Sequence, residues 1–168
     1  TLFSQTEALY LNLAPIMDLI KEEILKYGYV HIDETRGKIL STNTNGYIWA
    51  MGNCYGAYFQ YETTRSGEVA LEMLGSYKGC IINDGFSGYN RFKKTKEIKV
   101  CHCWSHVRRK FFECLQNYPK AEKALILIDE MFKIERKSKG SFKRLKSLRT
   151  KRSKKIHEEL FELLLKLE

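Results

Sequence analysis

The order of strand-like and helix-like segments between residues 29 and 103 constrains the fold most strongly. Strand patterns, rich in apolar and β-branched residues and separated by turn sequences such as "GNCYG", come first, over 29–35, 37–42, 46–53 and 57–62. The segments that follow alternate between the two periodicities: a helix over 66–77, a buried strand over 79–84, a short helix over 86–94 and a strand over 97–103. We therefore predict three to four antiparallel strands and then a helical crossover into a further strand.

This order predicts an α/β protein with a mixed, five-stranded sheet flanked by helices. A right-handed crossover places the fourth strand beside the first and parallel to it. Another helix is predicted before the sheet over 12–27, with Asn12 as its N-cap and Pro15 in its first turn, and the pattern is helical from 104 onward. The carboxyl ends of parallel strands share one edge, and open α/β sheets bind ligands there.

One aspartate stands at the predicted end of each of the two parallel strands. Asp33 ends the first, in "HIDET", and Asp84 ends the fourth, in "IINDG". In this topology their carboxylates lie about one strand spacing, roughly 5 Å, apart. Because close carboxylates repel each other, a divalent cation would stabilise the pair, and hard oxygen ligands suit Mg²⁺ or Mn²⁺. The alternative is local, with Asp33 capping the turn "DETRG" and Asp84 belonging to an Asp-Gly turn.

The segment "CHCWSHVRRKFFE", residues 101–113, contains a Cys-x-x-His pattern. Cys103 and His106 share one side of a helix, but no second ligand pair at zinc spacing follows, so a structural role is favoured over zinc. Arg108 lies about 40° from Trp104 on a helical wheel, inside the apolar stripe. Its guanidinium either has a carboxylate or phosphate partner or extends to solvent, and both alternatives stay open.

Charge is unevenly distributed along the chain. Residues 1–90 carry 6 Lys/Arg and 10 Asp/Glu, whereas residues 91–168 carry 23 and 10, and segment 133–155 alone holds 12 basic residues and one acid. This asymmetry indicates a nucleic acid partner, and a solvated basic face without a partner is the alternative. The basic residues expected to contact the nucleic acid are Arg108, Arg109, Lys110, Lys143, Arg144, Lys146, Arg149, Lys151 and Arg152.

Cysteine number and apolar run length indicate the cellular compartment. The five cysteines are an odd number and are scattered, which suits reduced thiols better than a disulfide framework. The sequence has no run of about 18 apolar residues and no basic-then-apolar signal pattern at its start. We therefore expect a soluble, intracellular protein without a membrane partner.

Several long stretches resemble one family. The stretches "LAPIMDLIKEEIL" with "VHIDET", "NGYIWAMGN", "TTRSGEVALEMLGSYKGCIINDGFSGYN" and "CHCWSHVRRKFFE" are similar to the transposases of the bacterial insertion-sequence family sixty-six. The resemblance implies an RNase H-like fold and a DDE site that cuts and joins double-stranded DNA on two Mg²⁺ or Mn²⁺ ions, in the cytoplasm at the nucleoid. Asp33 matches the first aspartate of the site and Asp84 the second, and "CWSH" matches a Cys-x-x-His signature that follows it.

Two parts of the family pattern are missing from the sequence. The helix-turn-helix and zinc-finger-like segments that precede this region in the family are not here. The family's third acid is a Glu in an "NNxxERxxRP"-like stretch beyond a helical insertion, and no such stretch occurs before Glu168. We therefore expect a catalytic-domain fragment that is inactive alone. The candidate substitutes within the chain are Glu34, Glu113, Glu135 and Glu158, of which Glu113 is the best placed.

The expected organisation has three parts. A leading helix over 1–28 precedes an RNase H-like core over 29–118, and a basic helical insertion region covers 119–168. Two functions stay open: the catalytic domain of a DDE transposase, and a non-catalytic DNA-binding module or transposase remnant that acts through the basic helical half. Assembly into a homo-oligomer is also left open.

Overall fold

A computed structural model of the chain describes residues 1–39 and 43–166. These residues form two compact units, Thr1–Cys103 and Trp104–Glu168, and each is described by itself. The first unit contains a five-stranded sheet, and the described part of the second consists of helices joined by turns. The three-part division expected from the sequence stays a prediction.

The sheet of the first unit is mixed and has the strand order β3-β2-β1-β4-β5. Its strands are β1 (Tyr29–Ile39), β2 (Thr44–Asn53), β3 (Gly56–Glu62), β4 (Gly79–Asn83) and β5 (Ile98–His102). The first three are antiparallel neighbours, β4 pairs with β1 in parallel, and β5 pairs with β4 in parallel. The predicted α/β class and the position of β4 beside β1 are confirmed, and the topology is consistent with the RNase H-like fold.

The first strand is longer than its sequence pattern suggests. The segment 29–35 and the start of 37–42 form one strand, because Gly37 pairs with Gly46 of β2 and the ladder continues to Ile39. Residues 40–42 lie outside the described residues. Asp33 is therefore inside a continuous strand, and the local explanation that it caps a turn is wrong.

The helix before the sheet also begins earlier than predicted. Helix α1 spans Leu2–Leu25, and its N-cap is Thr1, which forms a capping box with Ser4. Asn12 is not a cap, since its side-chain amide donates to the Ala8 carbonyl at 2.8 Å within the helix. Pro15 likewise lies inside α1 rather than in the first turn, so the helix continues past the one hydrogen bond that proline cannot donate.

The core of the first unit lies on one face of the sheet. Ser66 caps helix α2 (Gly67–Leu74), as predicted, and a 3₁₀ helix (Ser87–Lys94) links β4 to β5. The buried side chains include Ile24, Val30, Ile32, Trp49, Met51, Met73, Leu74, Ile81, Tyr89 and Phe92. Because side chains alternate along a strand, Val30 and Ile32 direct Glu34 toward this core and Asp33 toward the opposite face.

The second unit is a separate set of packed helices. Its α-helices are α3 (Trp104–Cys114), α4 (Ala121–Arg136), α5 (Phe142–Leu148) and α6 (Lys154–Leu165), and a π-helical turn, Arg149–Ser153, joins the last two. Ala124, Ile128 and Leu160 form its buried centre, and Trp104 and Val107 pack against them. In the described part of the chain, no helix has both the length and the apolar character needed to cross a membrane.

Candidate active site

The two predicted aspartates belong to neighbouring parallel strands: Asp84 directly follows β4, as predicted, whereas Asp33 lies within β1, which continues to Ile39 instead of ending at Asp33. His31 of β1 is paired with Ile82 of β4. Asp33 comes two residues after His31, and Asp84 two residues after Ile82, so the same register carries both to one level at the carboxyl edge of β4. Asp33 is half-buried, and its Oδ1 accepts a hydrogen bond from the Glu34 N–H at 3.0 Å.

A tight turn orients Asp84. The Asn83 side chain accepts from the Gly85 N–H at 2.8 Å, and Asp84 Oδ1 accepts from the Phe86 N–H at 2.8 Å. Gly85 makes this possible because its φ of 90° lies in the left-handed region that other residues rarely adopt. Asp84 is therefore an Asp-Gly turn residue, as the local explanation held, and its side chain remains 25% exposed at the strand end.

Glu34, the acid that follows Asp33 in the sequence, is buried and paired with an arginine. The Glu34 side chain is 0% exposed, and its Oε1 accepts from Arg65 Nε at 2.6 Å. Its Oε2 accepts from the Tyr89 hydroxyl at 2.8 Å. The Arg65 guanidinium lies 4.1 Å from the centre of the Phe86 ring, and its Nη2 is 3.6 Å from Asp84 Oδ2. Arg65 thus connects Glu34, on the core side of β1, with the turn that holds Asp84.

The surroundings of these groups shift their pKa values. Burial raises the pKa of Glu34 and outweighs the hydrogen bonds from Tyr89 and Arg65, which act in the opposite direction. Burial, and then the negative charges of Glu34, Asp84 and Asp33, raise the pKa of Tyr89. The hydroxyl therefore stays protonated and donates a hydrogen bond to Glu34. Burial opposes the charged form of Arg65, but Glu34 and Asp84 together raise its pKa.

The loop that carries Arg65 is fixed on both sides. Trp49, which is paired with Glu34 across β1 and β2, donates from its indole nitrogen to the Thr64 carbonyl at 3.3 Å. On the other side, the Ser66 side chain accepts from the Glu68 N–H at 3.2 Å. Arg65 therefore approaches Glu34 from a segment whose backbone is held by the core strand and by the start of α2.

The comparisons with known proteins identify the family of this chain. The family model described as "Transposase IS66 family" matches residues 1–168. The chain belongs to the IS66 transposase family.

Two curated relatives of the IS66 chain come from Sinorhizobium fredii (strain NBRC 101917 / NGR234). The uncharacterized protein y4hP is 28% identical over 184 residues, covering 92% of this chain and 33% of its own length. The uncharacterized protein y4qI is 25% identical over 175 residues, covering 90% of this chain and 32% of its own length. The chain thus spans about a third of these relatives. No solved structure matches it.

The two residues of the Cys-x-x-His pattern of this IS66 chain belong to different units, Cys103 to the first and His106 to the second. The Cys103 N–H donates to the Asn83 carbonyl at 2.7 Å and so ties the end of β5 to the residue before Asp84. His106 lies on α3 of the second unit. Within residues 1–39 and 43–166, no group of three or more His, Cys, Asp or Glu side chains is arranged to hold a metal ion. A structural pairing of Cys103 with His106 stays a prediction.

Two of the basic residues predicted to contact DNA have acidic partners. Arg108 donates to both carboxylate oxygens of Asp129, at 2.6 and 3.1 Å. Of the alternatives left open for its guanidinium, the structure therefore shows a carboxylate partner. This pairing raises the pKa of Arg108 and lowers that of Asp129. Arg149 binds Glu135 in the same bidentate way, at 2.8 Å twice. The other predicted contacts are exposed on the second unit: Arg109, Lys110, Lys143, Arg144, Lys146, Lys151 and Arg152.

The candidates for a third acid are in different environments. Glu34 faces the core, away from Asp33, as predicted, and is bound by Arg65. Glu113 is exposed on α3, Glu135 is bound by Arg149, and Glu158 is 3.9 Å from Lys154. The role of Glu113 as a substitute acid stays a prediction.

The sequence did not predict that Glu34 is a buried acid with two hydrogen-bonding partners. The signal was present, since a strand with Val30 and Ile32 toward the core must turn Glu34 toward it too, and a buried carboxylate requires a partner. The partners could not be identified, because Arg65 and Tyr89 are 31 and 55 residues away in sequence.

Proposed function

We propose that this chain carries the first two acids of a DDE transposase site, Asp33 and Asp84, which cuts and joins DNA strands. The observation that carries the proposal is the register of β1 and β4, in which Asp33 and Asp84 stand at the same level, just beyond the carboxyl end of β4. Membership of the IS66 transposase family supports the same assignment, since transposition is the activity of that family. The two curated relatives are about three times as long as the stretch that this chain matches, so the activity of a whole transposase is proposed here and not shown.

The donor set of this edge fits a divalent cation. Asp33 and Asp84 offer hard carboxylate oxygens, which suit Mg²⁺ and Mn²⁺. The nearest basic group that the structure gives to Asp84 is Arg65, which is hydrogen-bonded to Glu34 and has its Nη2 3.6 Å from Asp84 Oδ2. In a DDE site such ions supply an activated water and stabilise the leaving oxygen. Asp33 and Asp84 would hold the first ion, and a third carboxylate is needed for the second.

Double-stranded DNA is the proposed partner, and the bacterial nucleoid is the proposed location. The second unit has 18 Lys/Arg and 9 Asp/Glu, whereas the first unit has 11 of each. Phosphates bound by the exposed basic residues of the second unit would bring a duplex to the protein without sequence choice, since phosphate contacts carry no sequence information.

Iron-directed cleavage of the polypeptide tests the metal site directly. Fe²⁺ can replace Mg²⁺ at carboxylate sites, and with ascorbate and peroxide it cuts the nearby backbone. We expect fragments that end close to Asp33 and Asp84, suppressed by excess Mn²⁺ and lost in Asp84→Asn. Cleavage elsewhere, or cleavage unchanged in Asp84→Asn, would contradict the assignment.

The charge of the second unit supports a second candidate, a DNA-binding module without catalytic activity. The two candidates differ in one experiment. If duplex DNA binds tightly while iron produces no cut near Asp33 or Asp84, the second candidate replaces the first.

A further inference from the structure

Glu34 is a buried acid beside a candidate metal site, and it requires an explanation. Its side chain is 0% exposed, both of its oxygens are hydrogen-bonded, and it faces the opposite side of β1 from Asp33. An ionised carboxylate is costly to bury unless it is paired. Arg65 and Tyr89 each occupy one oxygen of Glu34, and the side chain lies on the opposite face of β1 from Asp33.

Arg65 has two acidic neighbours but is hydrogen-bonded to one. Its Nε is 2.6 Å from Glu34 Oε1, whereas its Nη2 is 3.6 Å from Asp84 Oδ2, beyond hydrogen-bonding distance. The Arg65 side chain is 43% exposed, so it has room to move. A shift of under about 1 Å would close the second distance to an ordinary charge-assisted hydrogen bond.

We infer that Glu34 is a positioning residue that holds Arg65 away from Asp84 and thereby keeps Asp84 available to a divalent cation. Tyr89 fixes Glu34 through the second oxygen, and the Phe86 ring supports the guanidinium from the side of the turn. Without the charge of Glu34, Asp84 becomes the acid nearest to Arg65, and the guanidinium binds it. A metal ion would then have to displace the Arg65 guanidinium from Asp84 before it could bind this carboxylate.

This inference rests on the proposed function, because it concerns the same Asp84. It also makes a distinct statement: Glu34 acts through Arg65 and is not itself a metal ligand. Removing Glu34 alone weakens metal binding both if Glu34 acts through Arg65 and if it is itself a metal ligand. Removing Arg65 as well repairs the site only when Glu34 acts through Arg65.

Mn²⁺ affinity, measured by isothermal titration and by the loss of the free Mn²⁺ electron paramagnetic resonance signal, separates the two roles. Glu34→Gln is expected to weaken Mn²⁺ binding about tenfold or more, the usual effect of losing a residue that positions a ligand. The double variant Glu34→Gln with Arg65→Gln is expected to return to within about threefold of the wild-type affinity. Glu68→Gln is the matched control, since it removes an exposed acid paired with Arg91 in the same unit.

Each outcome decides the inference. If the double variant stays as weak as Glu34→Gln, then Glu34 does not act through Arg65 and the inference is wrong. It is also wrong if Glu34→Gln binds Mn²⁺ as the wild type does. Should Glu34→Gln fail to fold by circular dichroism, the double variant decides alone: near-wild-type affinity supports the inference and lost affinity refutes it. If the wild-type chain binds no Mn²⁺, the proposed metal site is wrong, and this inference, which depends on that site, is wrong as well.

Discussion

At the scale of single residues, the turn around Asp84 shows how one backbone angle places a side chain. Gly85 has a φ of 90°, and a Cβ at this position would lie 3.4 Å from His102 Nδ1. The left-handed region costs a residue with a Cβ about 1–2 kcal/mol. We therefore expect Gly85→Ala to lower the free energy of unfolding by about that amount in a urea titration.

Gly28→Ala serves as the control for this measurement. A Cβ at Gly28 meets no atom within 4 Å, and its backbone is not among the positive-φ positions. Its expected effect is within about 0.5 kcal/mol. Equal losses in the two variants would show that the turn does not depend on glycine at position 85.

The same scale shows where sequence reasoning stops. The parallel pairing of β1 with β4 followed from the strand pattern and the handedness of the crossover, and neither requires side-chain detail. The end of β1 did not, since the strand continues past Asp33 to Ile39. The pairing of Glu34 with Arg65 depends on which of many basic residues reaches the core face, and the chain places them 31 residues apart. Local patterns carry no information on that choice.

At the scale of elements, helix α1 has two halves with different roles. Ile24 is 1% exposed and packs in the core of the first unit, whereas Leu9 is 58% exposed. Ile24→Ala is expected to lower the free energy of unfolding by about 2–5 kcal/mol, as buried truncations do. Leu9→Ala is expected to change it by less than about 0.5 kcal/mol. A large loss at Leu9, measured by urea unfolding at low protein concentration, would show that the exposed half of α1 also packs on the monomer.

Element boundaries were harder to predict than element types. Asn12 and Pro15 are typical of a helix start: a cap contributes about 1 kcal/mol, and a proline inside a helix costs about 3 kcal/mol. The helix nevertheless continues through both positions, from Leu2 to Leu25. The sequence pattern predicted separate strands over 29–35 and 37–42, but the pairing of Gly37 with Gly46 belongs to one continuous ladder. In both cases neighbouring hydrogen bonds outweighed a local signal.

At the scale of the whole molecule, the basic residues divide between the two units, and this predicts how DNA binds. Replacing five exposed residues of the second unit with Gln should weaken binding to any duplex and make the slope of log K against log salt shallower by up to about 4–5, since each phosphate contact contributes about 0.9. The five residues are Lys143, Arg144, Lys146, Lys151 and Arg152. Fluorescence anisotropy over a salt series measures both effects.

Five basic residues of the first unit provide the matched control, because their replacement changes the net charge equally. They are Lys21, Lys26, Arg36, Lys38 and Lys78. If this control set weakens binding as much as the first set does, the partner responds to total charge and not to the second unit.

We also expect that this chain alone does not cut DNA. Two aspartates hold one ion between them, and misplacing a second ion can cost about 100-fold in rate. A labelled transposon-end duplex incubated with Mn²⁺ should therefore remain intact. Nicking that requires Mn²⁺ and disappears in Asp84→Ala would show that an acid of this chain, with Glu113 the first candidate, completes the site.

The central claim, that Asp33 and Asp84 jointly hold a divalent ion, is tested most directly by titrating Mn²⁺ into the chain and into three single variants. Asp33→Asn and Asp84→Asn each remove one carboxylate charge from the site, and Asp18→Asn removes an exposed one on α1. The predicted result is one bound Mn²⁺ in the wild type and in Asp18→Asn, and none over the same concentration range in either site variant. Equal binding by all four proteins would contradict the claim.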